Sequence, residues 1–414
     1  MRLKCMNLFF IAVLFVQSGS AHKLFKRQTT GCSINLETDL PLYQPLMLKQ
    51  GATTKDLYSF LLPDLQGNLV LAANAPLRVA CAGKSNVIAK LGVADAGATC
   101  AGTKSLKMST GTTLNSIDLN CTGFVAHSAV KSTTEKCEIA GDYVVINIGF
   151  QLADGFYPII KICFDEKNRD AIYSKYLETP SIAGQNVAEQ RPAFVEGSFY
   201  PEFTVDTKYS KTTQKTTFGQ ILGSATLGTN YIKDIDYYLA RGHLAARSDF
   251  IYATQQRATF WYINTAPQWQ TFNGGNWNTL EDNLRNFVVR YGREITMYVG
   301  THGLATLPDT NGQQKGLYLH FDPTGATTPK IKVPELFWKV MYDASAKKAV
   351  AFVGVNNPYK TSVTKLCTDV CSKLTWLTWQ PTNQKLGFAY CCELNDLRKN
   401  VPSIPALDAT ALLV

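Results

Sequence analysis

Between Arg241 and Arg285 the chain sets out two guanidiniums (Arg241 and Arg285), an imidazole (His243), two amides (Asn264 and Asn273) and a carboxylate (Glu281) within 45 residues. Phosphodiester hydrolysis needs an activated water, stabilisation of charge on phosphorus and help for the departing oxygen, and these side chains match those needs. His243 suits the general base, because a neutral imidazole titrates near neutrality. Its ordinary pKa of about 6.5 predicts activity that falls as the pH drops through that value. Arg241 and Arg285 offer planar cationic donors that fit phosphate oxygens, and Lys208, Lys211 and Lys215 are further candidates for phosphate contact. Asn273 would hold a hard cation through its amide oxygen while Glu281 fixes metal-bound water; Mg²⁺ commonly keeps several waters, so one or two protein oxygens suffice. The ion would neutralise developing charge and assist the leaving group. Gly242 would let substrate backbone approach closely beside His243.

Taken singly, each residue also has an ordinary reading. His243 could be a structural histidine, Glu281 and Arg285 a solvated helix pair, and the Asn273-Gly274-Gly275-Asn276 run a turn. Only their joint spacing carries the chemical reading. The elements that must position them follow from periodicity. Tyr231 to Leu239 and Ala258 to Ile263 read as strands. Trp277, Leu280, Leu284, Phe287, Val288 and Tyr291 recur at helical spacing, with Asn278 or Thr279 as the cap and Gly292 as the stop. Glu281 and Arg285 then share a helix face one turn apart. Further on, Ile295 to Val299, Leu317 to Phe321 and Ala349 to Val355 read as strands and Pro334 to Tyr342 as a short helix.

The 414 residues exceed what one ordinary core organises, and 45% hydrophobic content excludes a disordered chain. Residues 1–21 carry Arg2 and Lys4, an apolar run from Met6 to Val16 and the small residues Ser18 to Ala21, the layout of a signal peptide. That run is too short to span a bilayer, and no later segment reaches about 18 apolar residues; a secreted, extracellular protein without membrane attachment is expected. Lys26-Arg27 reads either as a second processing point, releasing 22–27, or as a basic patch. Residues 1–27 hold five basic residues and no acid, so their loss lowers the formal charge from +9 to +4. Overall basicity is then weak evidence for a polyanion partner.

Beyond Cys5, six cysteines fall between Cys32 and Cys163 and four between Cys367 and Cys392. An even count behind a signal peptide predicts three bridges in the front and two near the end. Four thiolates at Cys367, Cys371, Cys391 and Cys392 would also suit zinc, but the exported context favours disulfides. Asn120-Cys121-Thr122 is a glycosylation sequon. Short β runs such as Tyr143 to Phe150 and Tyr157 to Phe164 predict a Cys-rich β domain over 28–190. A polar stretch between Pro180 and Pro201 separates it from a second domain over 195–405. The front holds one histidine, His127, in a Ser/Thr-rich region that predicts a surface position.

The stretches YYLARGHLAARSDF (237–250) and ATFWYINTAPQWQTFNGGNWNTLEDNLR (258–285) resemble the DNA/RNA non-specific endonucleases of the ββα-metal superfamily. That family's pattern runs D-R-G-H, N-x-x-P-Q, N-x-G-x-W and L-E-D, with an arginine four residues after the glutamate. The likeness covers roughly residues 200 to 400, since VPELFWKV and AVAFVGVNNP look like the family's closing helix and strand. It implies an α+β fold: a ββα-metal nuclease domain with mixed sheet and helices, preceded here by the disulfide-rich β domain. By the same resemblance His243 is the general base and Arg241 the arginine of its motif. Asn273 is the direct metal ligand, Glu281 the holder of metal-bound water, Asn264 a supporting amide and Arg285 an arginine near the phosphate. The implied activity is endonucleolytic cleavage of DNA and RNA to 5′-phosphate ends with Mg²⁺ or Mn²⁺, and the whole layout is similar to secreted arthropod nucleases, double-stranded-RNA nucleases among them. One departure is visible: the motif's leading Asp is Ala240, with Asp234, Asp236 or Asp249 as candidate substitutes.

Two other classes fit the sequence: a catalytically silent nucleic-acid-binding protein that keeps this fold, and an extracellular ligand module carried by the front domain. Preference among DNA, RNA and duplex RNA, and the oligomeric state, are not written in these motifs.

Overall fold

The computed structural model describes residues 31–51, 59–187 and 189–414; the expected signal peptide and the segment 22–27 lie outside them. The Val-, Ile- and Tyr-rich runs form the middle of a nine-stranded sheet. Val144–Leu152, Gly155–Asp165 and Asp170–Glu178 follow one another as antiparallel neighbours, with Ser128–Lys131 on the outer side of the first. Asp170–Glu178 next pairs with Ile295–His302, and the sheet continues through Leu336–Asp343, Lys348–Val355 and Ala389–Cys392. Ala411–Leu412 adds a short parallel contact beside Lys348–Val355. With a few helices beside these sheets, the fold is α+β.

The boundary expected at 190–195 therefore falls within one sheet, hydrogen-bonded from Tyr173 opposite Gly300 to Glu178 opposite Ile295. The polar stretch from 180 to 201 is a connection between elements of a shared core, which runs from Cys32 to Leu413. A smaller five-stranded antiparallel sheet makes up much of the front: Leu46–Lys49, Pro76–Ala80, Asp95–Gly102, Ser105–Met108 and Thr113–Asn115. Disulfides Cys32–Cys100, Cys81–Cys121 and Cys137–Cys163 brace this half. Cys367–Cys392 and Cys371–Cys391 brace the other end, so these thiols are bridged and the zinc alternative falls.

Several elements differ from the sequence reading. Residues 225–231 are helical, and the strand expected at 231–239 instead occupies Leu239–His243. Lys233, Asp234 and Asp236 make the intervening segment an exposed turn, with Asp236 at φ 61°. The strand expected at 258–263 lies at Thr265–Trp269. Its aromatic residues Phe260 and Tyr262 pack around side chains of the neighbouring strand instead of pairing in a sheet. The helix expected over 334–342 is the strand Leu336–Asp343, flanked by partners on both edges. A continuous apolar run fits a strand buried on both faces as well as a buried helix, and here the sheet decides.

The 278–291 helix forms as expected, with Leu280, Leu284, Phe287 and Val288 buried and Gly292 in the left-handed conformation at its end. Its start differs. Neither Asn278 nor Thr279 caps it, because the chain is already helical from Gln270 and passes through a wide, kinked turn at 273–277, where Gly275 leaves helical geometry. Phe272 and Trp277 flank that turn and both pack on Phe337 of the central sheet, with ring centroids 6.0 and 5.6 Å away. Asn276 donates from Nδ2 to the carbonyls of Gln380 and Gly387 and accepts from the Gln380 amide. The kink is thus bolted to the sheet on one side and to the 380–387 loop on the other. Removing the buried Phe272 ring by Phe272→Ala is expected to cost about 3–5 kcal/mol. A denaturant midpoint unchanged from wild type would show that this ring does not anchor the kink.

Candidate active site

The strands Leu239–His243 and Thr265–Trp269 pair antiparallel, from Leu239 opposite Trp269 to His243 opposite Thr265. The kinked turn and the 278–291 helix follow directly, giving a strand, strand, helix unit. One cleft of ≈ 450 Å³ opens over it. The first strand supplies Arg241 and His243, the kink supplies Asn273, and one face of the helix supplies Glu281 and Arg285. Arg191 and Arg247 complete its cationic wall.

His243 packs between the rings of Phe194 and Phe260, whose centroids lie 5.1 and 5.0 Å from its own. Its Nε2 is shielded and has no hydrogen-bond partner among the described residues, an unmet buried polar group of the kind that a functional role accounts for. Burial, reinforced by the nearby Arg191 and opposed by Asp249, with Arg247 adding to the lowering, brings the imidazole down to about 3. The ring is therefore neutral throughout the ordinary pH range, and the titration expected near 6.5 is displaced downward. Below about 6.5 an unfolded chain would take up this proton while the folded chain does not, so the group makes stability fall as the pH drops toward 3.

Arg241 is held on several sides. It donates to Asp206 Oδ1 at 2.5 Å and to Tyr262 Oη at 2.9 Å, and lies over the rings of Tyr209, Phe194 and Tyr262. Tyr262 also donates to Asp206 at 2.5 Å. These two contacts hold the Asp206 carboxyl below its usual range. Ala240, opposite Gln268, brings no carboxylate to the strand, but Asp206 brings one to the arginine beside it. The proposed substitutes stand elsewhere: Asp234 pairs with Lys215, Asp236 with Lys385, and Asp249 lies beneath the helix.

Asn273 donates from its amide nitrogen to Gln270 Oε1 at 3.3 Å, which leaves the amide oxygen as the group suited to a cation. Glu281 is half-buried, and burial raises its carboxyl to about 7, with Lys339 opposing and Asp249 reinforcing the shift. Two oxygen donors of this type in one polar cleft fit a hard divalent ion such as Mg²⁺ or Mn²⁺.

Beneath the helix lies a buried ionic cluster. Asp249 accepts from Arg285 Nη1 at 2.8 Å, from Lys339 Nζ at 3.0 Å and from the Tyr176 hydroxyl. Burial alone would raise its pKa, but Lys339 and Arg285 hold it below the usual value. Glu178, also buried, has neither carboxyl oxygen hydrogen-bonded among the described residues. Burial and the charge on Asp249 drive its pKa up, so it keeps its proton. Asp249 thus faces two cations, Arg285 and Lys339, and Glu281 feels the charge of all three.

Four expectations need correction. Asn264 does not line the cleft: it is fully buried, donates to the carbonyls of Ala245 and Thr259, and accepts from the Ala245 amide, which fixes the chain just after His243. Gly242 makes room for protein, not substrate, since a Cβ there would lie 2.3 Å from Gln268 Oε1. Lys211 and Lys215 are engaged with Asp234, and neither they nor Lys208 reach the cleft. His127, expected at the surface, is half-buried. Its Nδ1 accepts from Trp261 Nε1 at 2.9 Å, and burial, with Arg257 nearby, brings it down to about 4. The sequence reading missed Arg191, Arg247 and Asp206. Arg247, four residues past His243, carried a signal in its proximity; Arg191 and Asp206, 52 and 37 residues before His243, carried none.

Residues 143–397 match the DNA/RNA non-specific endonuclease family. The chain is 32% identical over 272 residues to a salivary endonuclease of Lutzomyia longipalpis, a match covering 64% of this chain and 63%, less than two thirds, of that relative. It is 23% identical over 385 residues to the salivary protein Tsal2A of Glossina morsitans morsitans, covering 90% and 92% of the two chains. A solved structure of the EndoG/EndoGI complex is similar at a TM-score of 0.37 and 18% identity, over 61% of this chain and 87% of that one. The family match spans the paired strands, the kinked turn and the helix that line the cleft, and the chain belongs to the DNA/RNA non-specific endonucleases.

Proposed function

We propose that the protein is a secreted, metal-dependent endonuclease that hydrolyses DNA and RNA, duplex RNA included, by attack of a His243-activated water on phosphorus, leaving 5′-phosphate ends. The observation that carries this reading is the convergence of His243, Asn273, Glu281 and four arginines on one cleft. Its lining holds two carboxylates, Glu281 and Asp282, against those four guanidiniums, so it favours a phosphate. Secretion is supported by five disulfides and by the salivary names of relatives. Among the described residues no helix is long and apolar enough to cross a membrane.

Arg191 and Arg247 draw the phosphate beside His243, and the same two cations lower the basicity of its ring in the free protein. An anion bound between them cancels their repulsion of a proton and raises the imidazole's proton affinity when the water must be deprotonated. Asn273 and Glu281 would hold a divalent ion, which supplies neutralisation of charge on the departing oxygen. Arg285 steadies a phosphate oxygen from a position fixed by Asp249. Asn264 and the Phe194–Phe260 pair keep the imidazole in place.

With Mg²⁺, plasmid DNA and RNA of both strandedness are expected to be cut endonucleolytically, with EDTA abolishing the reaction. His243→Ala is expected to slow it by about 10²–10⁴-fold. Intact substrate with retained binding would favour the silent nucleic-acid-binding alternative.

The pH response is expected to come from the ion and not from the imidazole. Because Glu281 is protonated below about 7 in the free protein, apparent metal affinity is expected to weaken as the pH falls from 8 to 6, and Glu281→Gln to flatten that dependence. A rate at saturating metal that falls with a midpoint near pH 6.5 would instead assign the titration to His243.

Lys339 and Asp249 are fully buried, so truncating one leaves the other's charge poorly matched. Lys339→Met is expected to cost about 3–5 kcal/mol, and adding Asp249→Asn to recover part of that loss. Additive losses in urea unfolding would mean that the two residues act independently.

A further inference from the structure

Beside the catalytic cleft lies a second cavity of ≈ 580 Å³, and Arg191 lines both. Its walls come from the front half of the chain, through Leu42, Gln44 and Phe124, and from Asn186, Glu189 and Arg257. The charge of the two spaces differs. The catalytic cleft has four arginines against two carboxylates. The neighbouring cavity has two of each sign, Glu37 and Glu189 with Arg191 and Arg257, and Arg257 is already paired with Glu189 at 2.7 Å. One space suits a phosphate; the other suits an uncharged body joined to it.

The chemistry of the second lining says which body. Phe124 is 42% and Leu42 69% exposed, large apolar groups facing solvent at this rim. The Arg257 guanidinium lies 3.7 Å from the Phe124 ring centroid, and Tyr43 meets that ring edge-on at 4.8 Å. Aromatic and guanidinium planes are the surfaces on which unstacked bases rest. A nucleobase supplies flat apolar faces, and a cavity of this size lies within the range of small-molecule sites, about 300–1,000 Å³.

We propose that this cavity receives an unpaired nucleobase of the strand whose phosphate lies in the catalytic cleft, so that the front half of the chain grips single-stranded RNA or DNA. The inference rests on the nuclease reading above and adds a base-holding subsite to it. Bases paired within a duplex cannot enter, so the grip acts on single strands alone.

The test uses the full-length chain in EDTA, so that no strand is cut, and measures binding of three labelled probes: a single-stranded hexanucleotide, the same backbone with every base removed, and a duplex. Loss of the bases leaves the phosphate charge unchanged and is expected to weaken binding roughly 5- to 100-fold. Phe124→Ala is expected to weaken the intact single strand within that range while leaving the base-free strand and the duplex unaffected. The base-free probe does not depend on any variant folding. Equal affinity for intact and base-free strands overturns the subsite, as does a Phe124→Ala effect of equal size on all three probes. If the wild-type chain with Mg²⁺ still cuts nucleic acid in that case, only the subsite falls; if it neither cuts nor binds, the nuclease reading falls with it.

Discussion

A single buried carboxylate holds the site together. Asp249 receives Tyr176 from one central strand, Lys339 from another and Arg285 from the helix above. Sheet, helix and the segment following His243 therefore meet on one group. An isolated charge at that depth would be prohibitive, so the donors must stay where they are, and with them the helix face that carries Glu281 and Arg285. Glu178 adds no second charge because it keeps its proton.

That arrangement explains why the candidate site residues, from different elements, can share one cleft without being neighbours in the fold's hydrogen-bond ladders. The kink carrying Asn273 is fixed independently, by Phe272 and Trp277 against Phe337 and by Asn276 against the 380–387 loop. Two rigid attachments, one ionic and one largely apolar, set Asn273 and Glu281 relative to each other. A site built this way loses little entropy when substrate binds.

The helix 278–291 and the strands near 295, 349, 144 and 157 were legible because each carries its own periodicity or β-branched run. The strand at 336–343 was not, since an apolar run opened by a proline suits a buried helix as well, and its two sheet partners are distant in sequence. Spacing brought His243, Arg241, Asn273, Glu281 and Arg285 together, and the fold gathers them in one cleft. It could not separate Asn264, whose amide serves the backbone, from groups that face the cleft. Nor could it foresee Asp206 answering Arg241 from outside the motif, or the neutral state of His243, which depends on aromatic walls contributed by Phe194 and Phe260. The sheet also crosses the polar 180–201 stretch, because composition reports exposure of a connection and not where strand pairing stops.

On this reading a divalent cation binds between Asn273 and Glu281 in the cleft that holds His243. Anomalous scattering from crystals of the full chain equilibrated with Mn²⁺ would locate it. One strong peak is expected at bonding distance from the Asn273 amide oxygen, with Glu281 beyond an intervening water. A crystal saturated with Mn²⁺ that shows its peak elsewhere, and none in this cleft, would contradict it.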